Sequence, residues 1–414
     1  MGELTNWAGN ITFSTEVRRP ESVLDLQELV RGSERVRVLG TGHSFNRIAD
    51  TSGTLVSVAD LPRVITVEGD SVTVSAGLRY GEITAALQAQ GRALHNLGSL
   101  PHISVAGACS TGTHGSGDTN GTLASAVSTI TFIGADGELV TLTRDDPDFL
   151  GSVISLGALG VTVRLTLDTQ PSYEISQVVY DGLPVGRLGP DFEEIFASAY
   201  SVSAFTDWLD PDVMVWRKLR SGTPYEPEWL GARIADGARH PIKAMPADFA
   251  TQQDGVPGPW NERLPHFRLE FTPSNGEELQ SEYFLPRAVA GQAFEEMRTL
   301  GKRFEGLLQI SEVRTIAADD LWLSPSQGRD TVALHFTWIQ DEAAIRPVVE
   351  ALEAAILPLG ARPHWGKVFT TDAATLRECY PKVSEFINLA AKYDPTGKFR
   401  NDYLDTYLPS AAGH

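Results

Sequence analysis

Cysteine is nearly absent from this chain of 414 residues. The two present, Cys109 and Cys379, form no disulfide framework and no cysteine-based metal cluster. His, Cys, Asp and Glu show no metal-ligand spacing, so no metal is expected. No apolar run approaches the roughly 18 residues that a membrane-spanning helix needs. The opening residues Met1-Gly2-Glu3-Leu4-Thr5-Asn6-Trp7 show neither the charged nor the apolar region of a leader, and a cytoplasmic location is expected. Basic residues are outnumbered, 34 against 53 acidic ones, for a formal net charge of −19. That deficit argues against nucleic acid or an anionic membrane as a partner, since both need basic patches. It also disfavours a strongly anionic substrate. With no internal repeat or low-complexity tract, the expected state is a monomer large enough for two cores.

What is present first is alternation. Residues 35–39, 54–58 and 72–76 read as short strands, and 80–90 carries apolar residues at helical spacing. Residues 129–133 and 139–142 flank Ala135-Asp136-Gly137, a hairpin signal, and 160–167 alternates as a strand. After Tyr173 the character changes. Strands are predicted at 213–219, 267–271, 307–316 and 331–339, with helices near 287–300 and 341–357. Residues 221–265, rich in Pro, Gly and Trp, show no clear period, as a lid or binding surface would. A last helix, 383–392, ends at Asp394-Pro395.

Two loops carry the chemistry of a phosphate site. Gly40-Thr41-Gly42-His43-Ser44-Phe45-Asn46 follows a strand, and glycines there can expose several N–H groups in one concavity. Ser110-Thr111-Gly112-Thr113-His114-Gly115-Ser116-Gly117 has the same character. Together they suggest one diphosphate-containing ligand gripped from two sides. Neither loop fits GxGxxG or GxxxxGK[ST], and Gly115-Ser116-Gly117 is one residue too tight for a hydrolase elbow. His43 fits an attachment point or nucleophile; His114 fits a structural loop histidine better than a catalyst. His95 and His102 show no sharper signal.

In the second half, period-2 alternation puts Glu312 and Arg314 on one strand face, and His335 and Thr337 on another, opposite Leu334, Phe336 and Trp338. Such faces suit a pocket for hydroxyl groups, since carboxylates accept and guanidinium groups donate with directional preference. By pattern alone, Glu312 and Arg314 also fit a solvated face, His335 a satisfied core imidazole, Lys367 a surface lysine and Ser99 a turn residue.

The stretch Val38-Leu39-Gly40-Thr41-Gly42-His43-Ser44-Phe45-Asn46 resembles the pyrophosphate loop of FAD-linked oxidases of the vanillyl-alcohol-oxidase type. Ser99-Leu100-Pro101-His102-Ile103-Ser104-Val105-Ala106-Gly107 and Thr111-Gly112-Thr113-His114-Gly115 are similar to the alditol oxidase branch of that family. So are Glu312-Val313-Arg314-Thr315, His335-Phe336-Thr337-Trp338 and Arg362-Pro363-His364-Trp365-Gly366-Lys367. The resemblance implies an α+β, two-domain FAD-binding fold of the vanillyl-alcohol-oxidase/PCMH type. Residues 1–172, completed by the tail 371–414, would hold FAD. Residues 173–370 would form a substrate-binding cap on a large antiparallel sheet flanked by helices.

It also implies covalent FAD, joined at its 8α-methyl to His43. Gly40, Thr41, Gly42, Ser44, Phe45, Asn46, Ser99, Ser104, Gly107, Thr111, Gly112, Thr113, His114, Val161 and His364 would contact the flavin. Ser99, Glu312, Arg314, Thr337, Lys367, Gln280 and His335 would line the substrate pocket, with Lys367 and Arg314 catalytic. The implied reaction oxidises the terminal CH2OH of an acyclic polyol such as xylitol or sorbitol to the aldose. Hydride passes to flavin N5, and O2 is reduced to H2O2. A sugar-1,4-lactone oxidase and a polyol dehydrogenase with another acceptor are alternatives on the same fold; a flavin binder without turnover is a more distant one. Gly98 stands where related members can carry alanine. Bulk at that position is thought to restrict oxygen access, so the glycine leans towards an oxidase.

Overall fold

The computed structural model describes residues 4–243, 245–270 and 277–410. Its first third holds two small sheets. Val17–Arg18, Thr54–Val56 and Val36–Val38 form a parallel one, and the loop 40–46 leaves the end of its Val36–Val38 strand. Ile65–Glu68, Ser71–Ser75, Val161–Asp168, Val127–Ile133 and Leu139–Thr143 form an antiparallel one, with the Asp136-Gly137 turn joining the last pair as expected. Helix Tyr80–Ala89 packs Ile83 and Leu87 onto this sheet.

The end of the chain shares that core. Leu376, Phe386, Leu389, Tyr403 and Leu404 lie in one apolar cluster with Val72, Ile83, Ile130 and Leu165. A polar clasp reinforces the return. The buried Arg37 guanidinium donates to the carbonyls of Gly157 at 3.2 Å, Leu156 at 2.8 Å, Phe399 at 2.8 Å and Ile48. Asn401 Nδ2 donates to the carbonyls of Arg47, Ile48 and Asp50.

The middle of the chain builds a ten-stranded sheet in which every recorded pairing is antiparallel. Its order is Glu228–Trp229, Ala232–Ile234, Glu174–Pro184, Asp212–Arg220, Ser201–Thr206, Leu308–Ile316, Thr331–Ile339, Glu278–Pro286, Arg362–Pro363, with Pro257–Pro259 paired beside Glu174–Pro184. Side chains alternate across a strand, so each contributes to two environments. Leu279, Tyr283, Val313, Leu334, Phe336 and Trp338 join the core under helices Ala290–Phe304 and Glu342–Ile356. The Phe336 and Trp338 rings stack there at 5.3 Å. Gln280, Glu282, Glu312, Arg314, His335 and Thr337 have the opposite parity and line a cavity on the other face.

Residues 267–271 do not form the expected strand. Phe267 makes an isolated bridge with Ala250, residues 269–270 turn, and Phe271 lies outside the described residues. The N–H groups of His266 and Phe267 donate to the Ser99 carbonyl instead, which ties this segment to the wall of the first third. The described part of residues 221–265 contains short pieces of strand, a 3-10 turn at Ala247–Phe249 and a turn of helix at Trp260–Arg263.

Arg37→Met is expected to lower stability by about 3 kcal/mol, because four buried carbonyls lose a charged donor. An unchanged urea midpoint would show that apolar contacts alone hold the tail.

Candidate active site

A cavity of about 1070 Å3 lies between the two small sheets and the polar face of the large one. The loop 40–46 forms one end. Trp7 N–H donates to the Gly42 carbonyl at 2.8 Å, and Asn6 Nδ2 donates to the Ser44 carbonyl at 2.9 Å. Asn46 Nδ2 donates to the carbonyls of Trp365 at 2.8 Å and Lys367 at 2.9 Å, which fixes the lysine segment against the loop. Gly42 takes a φ of +72°, where a side chain would be strained. A Cβ at Gly40 would sit 2.7 Å from Ser104 Oγ, so a side chain there would force the Ser104 hydroxyl to turn away.

Among the described residues, the peptide N–H groups of Gly40, Thr41, Gly42, His43 and Ser44 have no acceptor within the protein. Five successive free donors lining a cavity fit a diphosphate. His43 Nδ1 lies 3.0 Å from Thr41 Oγ1, and its ring stacks on Trp7 at 5.3 Å. Burial, then the neighbouring His102, lowers its pKa to about 4, so the imidazole is neutral.

Thr41, Ser44, Phe45, Asn46, Ser99, Ser104, Gly107, Thr111, Thr113, His114 and His364 also line the cavity, as do Gln280, Glu312, Arg314, His335, Thr337 and Lys367. Gly112 and Val161 do not. Gly112 is the left-handed cap of helix Val105–Thr111, and a Cβ on it would meet Pro325 rather than the cavity. The Val161 side chain is fully buried in a core with Val36 and Phe399, while its neighbours Gly160 and Thr162 reach the cavity. Gly98 is on the wall, and a Cβ there would meet its nearest neighbours at 3.7 Å, so alanine would fit.

At the centre of the polar face stands a residue to which the motifs assign no role, Glu282. Strand pairing sets Glu282 opposite His335, and His335 opposite Glu312 on its other side. Glu282 Oε1 accepts from Arg314 Nη2 at 2.5 Å and lies 3.1 Å from His114 Nε2; Oε2 lies 3.3 Å from Lys367 Nζ. Burial by itself would raise the Glu282 pKa, but Lys367, His114 and Arg314 hold it well below the carboxylate range. Lys367 Nζ also donates to Gln280 Oε1 at 2.6 Å and to His335 Nδ1 at 3.0 Å. Burial lowers the Lys367 pKa, although Glu282 opposes the fall. For Arg314 the balance is reversed: Glu312 and Glu282 overcome burial and raise it. Period-2 spacing of Glu278, Gln280 and Glu282 was the available signal for this strand face.

Glu312 Oε1 is bonded to His266 Nε2 at 2.8 Å, and Oε2 is 3.6 Å from Arg314 Nε. His266 also lines the cavity but belongs to no motif.

A protein named alditol oxidase from Streptomyces sp. is 50% identical over 98% of this chain and 99% of its own length. The chain belongs to the alditol oxidase family of FAD-linked oxidases. A family model described as an FAD binding domain matches residues 15–143, and one described as D-arabinono-1,4-lactone oxidase matches residues 275–407. A protein named L-gulono-1,4-lactone dehydrogenase from Mycobacterium tuberculosis is 29% identical over 98% of both chains. The fold matches that of a cholesterol oxidase from Brevibacterium sterolicum, with a TM-score of 0.80 at 16% identity, covering 98% of this chain and 97% of the other. This family member is therefore an oxidoreductase that binds FAD in a two-domain fold with a large antiparallel sheet. Among the described residues no helix is long and apolar enough to cross a membrane.

Four buried histidines share one acid response. Burial, the largest cause for each, holds His43, His266 and His335 at about 4 and His364 at about 3, against an ordinary 6.5. Because the folded values are depressed, the unfolded chain takes up protons first as pH falls. The stability that the neutral rings contribute is full above about pH 6.5 and is lost progressively towards pH 4. The melting temperature is expected to drop steeply between pH 7 and pH 5; a flat profile would mean that folding does not depress the histidine pKa values.

Proposed function

We propose that this protein is an alditol oxidase that converts the terminal CH2OH of an acyclic polyol to the aldose and passes the electrons to O2, giving H2O2. The observation that carries this reading is the polar face. Donors and acceptors alternate across adjacent strands, from Lys367 and Gln280 through His335 and Thr337 to Glu312 and Arg314. A chain with a hydroxyl on every carbon needs such a row. In this reading residues 1–172 with 371–414 form the flavin unit and 173–370 the cap. The protein acts as a monomer in the cytoplasm.

Bound FAD supplies the two-electron acceptor and, once reduced, the donor to O2. The free amides of residues 40–44 hold its diphosphate, and Ser104, Gly107 and Thr111 complete that wall. The neutral His43 imidazole has a lone pair available for the 8α-histidyl bond. Ser99 and His364, both on the cavity wall, would contact the flavin, and Ser99 the substrate as well.

The protein's own chemistry is electrostatic. Arg314 places a cationic donor on the cavity wall, where it favours alkoxide character at the reacting oxygen, while Lys367 acts in its neutral form. With its pKa raised, Arg314 remains a donor throughout. Lys367, pulled down by burial, takes the substrate proton at Nζ, and His335 Nδ1 beside it orients that nitrogen. Glu312 accepts from a second hydroxyl.

Peroxide release with xylitol and sorbitol tests the reading. Peroxide from a 1,4-lactone in place of either polyol would favour the lactone oxidase suggested by the family model for residues 275–407. Turnover with an artificial acceptor but not with O2 would favour a dehydrogenase. Lys367→Ala is expected to slow flavin reduction by about 100-fold to 1000-fold while bound FAD is retained; undiminished turnover would remove Lys367 from the mechanism. Acid-precipitated protein is expected to keep its yellow colour, and His43→Ala to release it. Release of all the flavin from the unsubstituted protein would refute the covalent bond.

A further inference from the structure

Behind the Glu312 wall lies a buried lysine that the mechanism has not used. Lys218, on strand Asp212–Arg220, is 1% exposed and does not reach the cavity. Its Nζ donates to the carbonyl of Leu264, to that of Pro265 at 3.2 Å and to His266 Nδ1 at 3.1 Å. An ammonium has three N–H donors and no lone pair, so these three acceptors saturate it. Burial pulls the Lys218 pKa down to about 7, while Glu312 opposes the fall.

The direction of the relay follows from that geometry. Arg314 and His266 keep Glu312 ionised despite its burial, so it can only accept; the proton of the neutral ring therefore sits on Nε2, and Nδ1 accepts from Lys218. Nε2 then donates to Glu312 Oε1 at 2.8 Å. The ring is held edge-on by Trp216 and Phe205, at centroid distances of 5.2 and 5.7 Å. Its backbone is tied down as well, since His266 N–H donates to the Ser99 carbonyl. Glu312 Oε1 is thereby committed, and Oε2, 3.6 Å from Arg314 Nε, is the oxygen left to accept from a ligand.

We propose that Lys218 is a positioning residue: through His266 it sets Glu312 as an ionised acceptor whose Oε2 is reserved for a substrate hydroxyl. The site then demands an O–H donor at that point of the substrate, which a polyol supplies and a keto or deoxy carbon does not. This rests on the polyol reading of the site given above.

A double-mutant cycle on the flavin-loaded enzyme tests it. Lys218→Met is expected to lower kcat/KM for xylitol roughly tenfold, as loss of a hydrogen bond to a charged group does. Flavin content and melting temperature are followed in every variant. In a Glu312→Gln background the same change is expected to cost less than about twofold, because its target has gone. His266→Gln, whose amide can accept from Lys218 and donate to Glu312, is expected to recover most of the loss seen in His266→Leu. This comparison stands even if Lys218→Met does not fold. Additive losses in the cycle, or equal loss in the two His266 variants, overturn the relay while leaving the polyol reading intact. A Glu312→Gln enzyme with undiminished kcat/KM overturns Glu312 as a substrate ligand, and the relay with it.

Discussion

Glu282 draws four segments of the chain to one carboxylate. His114 comes from the second glycine-rich loop, Arg314 and His335 from adjacent strands, and Lys367 from the segment that crosses back towards the first loop. Charges this deep in a protein are costly unless each is paired and hydrogen-bonded. The carboxylate meets that condition for the cations around it, and they meet it for the carboxylate. Moving the strand that carries Arg314 or the segment that carries Lys367 would take a cationic partner from the buried carboxylate. The cluster therefore holds the lysine, the arginine and the loop histidine at set distances before a substrate arrives, as electrostatic catalysis requires.

The large sheet makes this arrangement possible because both its faces are covered, by different things. One face packs Phe336, Trp338 and Leu279 under two helices and supplies the apolar burial that stabilises the sheet. The other carries polar side chains into a cavity of modest solvent access, where charge interactions are stronger than in water. The cholesterol oxidase match at 16% identity shows how far the fold alone reaches, since fold does not imply function.

The cavity residues divide by how much of their role a sequence exposes. Glu312 with Arg314, and His335 with Thr337, were legible because two-residue alternation in an apolar strand makes a polar pair conspicuous. The loop at 40–46 was legible because glycines after a strand signal an open row of amides. Lys367 and His364 were marked by family motif alone; nothing in their local pattern separates them from surface residues. Glu282 and His266 carried no such mark. Glu282 lies in a strand whose sequence mixes charged and aromatic residues, and His266 falls between the aperiodic stretch 221–265 and the expected strand 267–271, which does not form. Gly112 and Val161 adjoin cavity residues in sequence, but helix capping and strand parity turn them from the wall.

By itself the sequence determined the class of molecule: an acidic, cysteine-poor flavoprotein of known family, with a glycine-rich loop after a strand and two strands that each carry a polar pair on one face. Local spacing suffices for these, because they depend on neighbours within a few residues. Only the tertiary structure decided which charges face one another. Glu282 meets His114 across 168 positions, and Lys218 meets His266 across 48. Those meetings depend on strand order and register, which are set by how the whole sheet buries its apolar face and are written in no single segment.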